Sequence, residues 1–182
     1  MSTTSAPQAP PGRVVVGVSG SVRSLQALRR AVTEARTRRE VLVPVHAWVP
    51  PGGYLPENRF PEPAAVRRIW TEDARQRLRG AFDAAFGGMP PGVDVEPVVR
   101  RGPTQLVLTR IADRDDDLLV IGAGRRGLLR RLGHTRIPGY CAAHAVCPVL
   151  VVPPTALARE MDQPLRAWLV VHRTLAQADA ER

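Results

Sequence analysis

The sequence predicts a Rossmann-like α/β fold, with one doubly wound, five-stranded parallel sheet and helices on both faces. The apolar runs at residues 118–121 and Val149–Val152 lack polar alternation, as expected for strands that helices cover on both faces. Candidate strands and helices alternate strictly along the chain, which favours a single parallel sheet. A glycine follows residue 121 directly, and glycine lets backbone amides approach a phosphate closely. The carboxyl ends of the strands are therefore the predicted ligand side.

The first strand is predicted at residues 13–18, and the turn Ser19-Gly20-Ser21 follows it. A helix is predicted over residues 24–38, with Ser21 as its N-cap, because a serine oxygen can accept from the amides of the first turn. Apolar residues recur in this helix at helical spacing: Leu25, Leu28, Val32 and Ala35.

The second strand is predicted at residues 41–49 and contains Pro44. Proline cannot donate a ladder hydrogen bond, so we expect a bulge at that residue. A proline- and glycine-rich loop at residues 50–63 follows, and loops of this length are often part of a binding face. The next helix is predicted at residues 63–86, ending at Gly87-Gly88.

The remaining elements follow the same alternation. Clean alternation of apolar residues predicts the third strand at residues 93–99, and Pro103 is tolerated in the first turn of a helix through Ala112. The acidic run at residues 113–117 is interpreted as a solvated turn at the entry side of the fourth strand. A loop and a fourth helix extend to Ala143, and residues 147–152 form the fifth strand.

Three segments are expected along the chain. Residues 1–12 are predicted to be a disordered lead-in, because they combine small hydroxylated residues with several prolines. Residues 13–153 form the α/β domain. Residues 154–182 form a helical extension whose apolar face should dock on this domain or on a partner subunit.

Composition narrows the classes of partner and compartment. The net charge is +9 and every basic residue is arginine, but no stacking aromatics interleave with the arginines, so nucleic-acid binding is disfavoured. No apolar run approaches the roughly 18 residues of a membrane helix, and the amino terminus has no signal-peptide pattern. A cytoplasmic protein is therefore expected. Cys141 and Cys147 are spaced as neither a CxxC pair nor a zinc framework, so buried, inert thiols are predicted.

Two segments resemble the single-domain universal stress proteins of high-GC bacteria: RVVVGVSGS, and DLLVIGAGRRG with HAVCPVLVVP. The resemblance implies the strand order 3-2-1-4-5. It also implies a homodimer through the last strand, which is an exposed edge, with the tail helix covering that edge or swapping onto the neighbour.

Family members that bind ATP share a phosphate motif that this chain keeps only in part. The first motif glycine corresponds to Gly122, but the second falls on Arg125 and the closing Gly-Ser/Thr pair falls on Thr135-Arg136. The aspartate after the first strand is replaced by Ser19, and the backbone contact to adenine falls on Ala47. The resemblance thus implies the following nucleotide site: Val18, Ser19, Gly20, Ala47, Gly122, Gly124, Arg125, Arg126, Gly127, Thr135, Arg136 and Ile137.

Three functions follow as hypotheses. The first is a cytoplasmic stress-response regulator that binds an adenine nucleotide or another phosphate ligand, with weak ATP binding. The second is a nucleotide-independent, dimeric interaction module with an unknown protein partner. An enzyme is least favoured, although weak ATP hydrolysis stays open, because no catalytic residue or metal ligand is placed. The arginines around residues 125–136 either clamp a phosphate or are solvated.

Overall fold

The computed structural model describes residues 12–50, 63–124 and 137–155 of the chain. Its larger compact unit, Met1–Val152, contains every helix and strand of the described residues. The expected lead-in up to residue 11, most of the loop at 50–63 and the extension beyond residue 155 lie outside the described residues.

Five strands and four helices alternate along the described parts of the chain. The strands are β1 Arg13–Gly17, β2 Val41–Trp48, β3 Val98–Arg101, β4 Leu118–Gly122 and β5 Val149–Val152. The helices are α1 Val22–Arg38, α2 Ala64–Phe86, α3 Thr104–Ile111 and α4 Ile137–His144. All strands pair in parallel in the order β3-β2-β1-β4-β5. The predicted fold class and strand order are confirmed.

The sheet separates two apolar layers. Val14 and Val16 of β1 pack with α1 and α2 on one face, whereas Val15 packs with α3 and α4 on the other. Successive side chains of a strand point to opposite faces, so the three consecutive valines of this central strand all contribute to one layer or the other. Burial on both faces explains why the sequence of β1 shows no alternation.

The predicted bulge at Pro44 is wrong. The bridge between Leu42 and Val95 and the pair Val45–Val98 have the same residue offset, so neither strand contains an extra residue. The ladder between β2 and β3 is instead interrupted at Pro44. The peptide groups of Leu42 face β3, so those of Pro44 do too, and Pro44 has no amide proton to donate to the Glu96 carbonyl.

The same interruption corrects the start of the third strand. β3 begins at Val98 rather than at residue 93, and Val95 makes only an isolated bridge. The apolar alternation at residues 93–99 reports which side chains face the core. It does not report continuous backbone pairing, which is interrupted by the missing amide proton of Pro44 on the neighbouring strand.

Candidate functional site

The carboxyl ends of β1 and β4 lie side by side. The two strands pair in parallel from Val14–Leu118 to Val16–Val120, so they end next to each other at Gly17 and Gly122. In doubly wound folds the ligand crevice lies at this edge, where the order of strands along the sheet reverses. β1 is the central strand at which that reversal occurs.

The turn between β1 and α1 is built from serines and a glycine. Gly20 has a φ of 79°, which favours glycine, and the hydroxyls of Ser19 and Ser21 lie 3.0 Å apart. Ser21 is the N-cap of α1, as predicted: its Oγ accepts from the amide of Ser24 at 3.3 Å. The Ser24 hydroxyl in turn donates to the Ser21 carbonyl at 2.9 Å. The exposed hydroxyls of this turn therefore lie at the positive end of the α1 dipole.

Two glycines, one at the end of β4 and one two residues beyond it, are required for different structural reasons. A Cβ at Gly122 would lie 2.8 Å from the carbonyl oxygen of Arg23, so only glycine lets the end of β4 pack against the first turn of α1. Gly124 has a φ of 65°, and the space next to it is open. Gly122 is thus required for packing, and Gly124 for the direction in which the chain leaves the strand.

β2 continues for three residues beyond Val45, the partner of Gly17 at the end of β1. The Val18 amide donates to the Val45 carbonyl at 2.9 Å, and the Val18 carbonyl accepts from Nδ1 of His46 at 2.8 Å. His46 is 7% exposed. The predicted adenine contact, Ala47, follows directly on the same strand. Two hydrogen bonds from β2 therefore fix the residue from which the serine turn departs.

The structure brings together some of the predicted site residues. Val18, Ser19 and Gly20 lead from β1 to α1, and Ala47 lies near the end of β2. Gly122 ends β4, and Gly124 follows it. Ile137 begins α4. The other predicted residues lie outside the described residues: Arg125, Arg126, Gly127, Thr135 and Arg136.

Two neighbours of the site carried no assigned binding role in the sequence analysis. His46 contacts Val18 across 28 residues of sequence, and no local pattern reveals such a contact. Trp48 packs against Trp70 of α2, with ring centroids 5.9 Å apart in an edge-to-face arrangement. An aromatic residue next to a proline-rich loop would have been the available signal for Trp48.

The thiols and the metal-ligating residues offer no second centre in the described parts of the chain. Burial raises the pKa of Cys141 to about 11 and also raises the pKa of Cys147, so both thiols are poor nucleophiles. Within residues 12–50, 63–124 and 137–155, no group of three or more His, Cys, Asp or Glu side chains could hold a metal ion. Among these same residues, no helix is long and apolar enough to cross a membrane.

At the amino ends of β1 and β4, arginine and aspartate side chains form an ion pair. Arg13 binds the buried Asp117 through two hydrogen bonds, Nε–Oδ1 at 2.9 Å and Nη2–Oδ2 at 2.7 Å. Nη2 also reaches Asp113 at 2.7 Å and the Ile111 carbonyl at 3.0 Å. The interpretation of the acidic run as solvated is therefore wrong for Asp117, because its ion pair with Arg13 compensates for burial.

Comparison with known proteins agrees with this geometry. A sequence model of the universal stress protein family matches residues 11–153. The chain belongs to the universal stress protein family. A crystal structure of a universal stress protein in complex with cAMP is 27% identical, with a TM-score of 0.51, over 81% of this chain and 100% of that one. The family protein UspA from Lactobacillus plantarum is 18% identical, with a TM-score of 0.52, over 80% of this chain and 99% of that one. No curated protein matches the sequence.

Proposed function

We propose that this member of the family is a cytoplasmic stress-response protein that binds an adenine nucleotide or a related phosphate ligand. The observation that carries the proposal is the meeting of β1 and β4 at Gly17 and Gly122, with the first turn of α1 at the same edge. The family relative that is 27% identical was crystallised with cAMP, which supports an adenine ligand.

The described residues suit the two parts of such a ligand differently. The phosphate suits the start of α1, where backbone amides and the helix dipole favour negative charge. The base suits the end of β2, where the backbone of Ala47 offers hydrogen bonds that require no particular side chain. Binding then changes the surface around the serine turn that a protein partner would meet.

ATP itself is expected to bind weakly. Ser19 replaces the aspartate found in ATP-binding relatives, and Arg125 replaces a glycine of the phosphate motif. An arginine Cβ hinders close contact of its backbone with phosphate oxygens. The Thr135-Arg136 pair also departs from the motif, with a charge where a hydroxyl donor is expected. A smaller or differently placed phosphate group suits this site better than a triphosphate.

Titration calorimetry on nucleotide-stripped protein tests the proposal with cAMP, AMP, ADP and ATP. We expect measurable binding of at least one monophosphate and weaker binding of ATP. A micromolar dissociation constant for ATP would contradict the weak-ATP expectation. No heat with any of the four ligands, at concentrations up to several millimolar, would contradict nucleotide binding itself.

The Ser19→Asp variant tests the missing aspartate directly. If that replacement weakens nucleotide binding, a restored carboxylate should accept a hydrogen bond from the base or the ribose and raise the affinity by roughly tenfold, the size of one charge-assisted hydrogen bond. Ser19→Asn is the matched control, because it has the same shape without the charge. An equal gain in both variants would assign the effect to side-chain size rather than to the carboxylate.

A second candidate function is a homodimeric interaction module, and the edge position of β5 favours it. β5 pairs only with β4 among the described strands, and its Val151 side chain is 40% exposed. Light scattering at tens of micromolar should show a dimer, and Val151→Lys should shift it towards monomer. Ile69→Lys on α2, which also replaces an exposed apolar residue, is the control. A monomeric wild-type protein would remove this candidate.

A further inference from the structure

His46 lies where the ladder between β1 and β2 ends. The pairs of this ladder run from Arg13–Val41 to Gly17–Val45, and the bond from the Val18 amide to the Val45 carbonyl follows them. In a continued parallel ladder, the Val18 carbonyl would next accept from the amide of Ala47. That carbonyl instead accepts from Nδ1 of His46 at 2.8 Å.

The tautomer of His46 follows from its acceptor. A carbonyl oxygen can only accept, so Nδ1 of the imidazole must carry the proton. The ring is buried on the α1 and α2 side of the sheet, together with Leu42 of the same strand and Val18, which follows β1. A buried side-chain donor thus replaces a backbone donor at this point.

The direction of the Ala47 amide follows from the alternation of peptide groups along β2. Leu42 donates to the Asp94 carbonyl at 2.8 Å and accepts from the Glu96 amide at 2.9 Å, so its peptide groups face β3. Odd-numbered residues of β2 therefore face β1, as the bond from Val18 to Val45 shows. The amide of Ala47 faces β1 beyond the last ladder bond, at the carboxyl edge of the sheet.

We propose that His46 is a positioning residue: it draws the Val18 carbonyl out of the ladder and thereby leaves the Ala47 backbone for the base of the ligand. The ligand part rests on the proposed function. His46 itself touches no ligand atom. It acts by ending the ladder one bond early and by fixing the start of the serine turn.

The variants His46→Leu and His46→Asn test this role. Leucine removes the donor, so the Val18 carbonyl becomes available and the Ala47 amide should enter the ladder. The hydrogen exchange of the Ala47 amide, measured by NMR, should slow by at least tenfold, and the affinity for cAMP should fall by a similar factor. Asparagine keeps a donor close to the position of Nδ1, so fast exchange of Ala47 and cAMP affinity should both be retained.

This readout separates positioning from simple support of the core. A merely structural histidine would give a destabilised leucine variant in which the Ala47 amide exchanges as fast as in the wild type or faster, and that result would overturn the proposal. If His46→Leu does not fold, two measurements on the wild-type protein test the proposal instead. Its ring ¹⁵N shifts should show a protonated Nδ1, and a protonated Nε2 alone or a slowly exchanging Ala47 amide would overturn the proposal.

The outcomes also distinguish this inference from the proposed function. If the wild-type protein binds no cAMP, AMP or ATP, nucleotide binding fails, while the exchange of the Ala47 amide still decides whether His46 ends the ladder. If nucleotides bind and the leucine variant keeps both fast exchange and full affinity, the proposed function stands and the role of His46 fails.

Discussion

The two ends of the β1–β4 strand pair are built on opposite principles. At the amino end, Arg13 and the buried Asp117 form a two-bond ion pair that closes the edge of the sheet. At the carboxyl end, Gly17 and Gly122 end the strands, and an exposed serine turn leads into α1. One end satisfies its polar groups internally, and the other presents hydroxyls and a helix start to solvent.

The difference indicates that the amino end of this strand pair contributes to stability, whereas the carboxyl end is suited to ligand recognition. A buried ion pair holds its partners in one geometry, and removing one partner leaves an uncompensated charge. Small residues at a helix start cost little stability and allow close approach of a ligand. Substitutions at the amino end should therefore act on folding alone, whereas those at the carboxyl end should divide between folding and binding.

The largest effect is expected from Asp117→Asn. Asparagine keeps the shape but removes the charge that Arg13 and the Arg114 amide contact, so the free energy of unfolding should fall by about 3–5 kcal/mol. Urea denaturation followed by circular dichroism measures this change. Asp73→Asn, in the exposed pair with Arg77 on α2, should leave the midpoint nearly unchanged. Equal small losses in both variants would contradict the role of the amino end.

A smaller loss is expected from Gly122→Ala. The added Cβ meets the backbone oxygen of Arg23, which cannot rotate away, so we expect a loss of about 1–3 kcal/mol. Gly124→Ala has open space but a positive φ, so it should cost about 1 kcal/mol. Gly80→Ala, in open space on α2, should stabilise by about 0.5–1 kcal/mol. Thermal denaturation of the three variants orders them, and an unchanged Gly122→Ala would refute the close packing of β4 on α1.

Next in size is the loss of the helix cap. Ser21→Ala removes the acceptor of the Ser24 amide and should cost about 1 kcal/mol of stability. Ser19→Ala removes an exposed hydroxyl that bonds the Ser21 hydroxyl, so the stability of this variant should remain near that of the wild type. Calorimetry with cAMP should nevertheless show weaker binding for Ser19→Ala. Loss of stability without loss of binding in that variant would exclude Ser19 from the site.

The sequence predicts most of the fold because each strand carries its own pattern. Buried runs, glycine turns and the Ser21 cap are local signals, and they place β1, α1, β4 and β5 within a few residues of their observed bounds. The start of β3 was missed because the side-chain alternation of residues 93–99 does not show that Pro44, on the neighbouring strand, lacks an amide proton for the ladder. The sequence shows directly how apolar side chains alternate, but it does not show which backbone groups of two strands form hydrogen bonds.

The backbone of the candidate site could be predicted from the sequence, but the side-chain contacts that hold it in place could not. The end of β1 and the glycines after β4 follow from local patterns and from the family resemblance. The contacts that hold those ends join residues far apart in sequence: His46 with Val18, and Arg13 with Asp117. Asp117 lies in an acidic run and was interpreted as solvated, because its partner is 104 residues away.

The smallest expected effect is a dependence of stability on acidic pH. The hydrogen bond from Arg13 lowers the pKa of Asp113 below its ordinary value, so the folded state favours the ionised carboxylate. This contribution is fully present above about pH 4, where the unfolded chain is also ionised, and is lost as pH falls through the folded pKa. Because Asp113 is 65% exposed, solvent screens the pair and its contribution should stay below about 1 kcal/mol. Asp113→Asn should therefore be slightly less stable than the wild type at pH 7 and equal to it near pH 2. Urea midpoints of both proteins at these two pH values measure the difference, and a gap that widens towards acid would show that the second carboxylate does not strengthen the closed amino end.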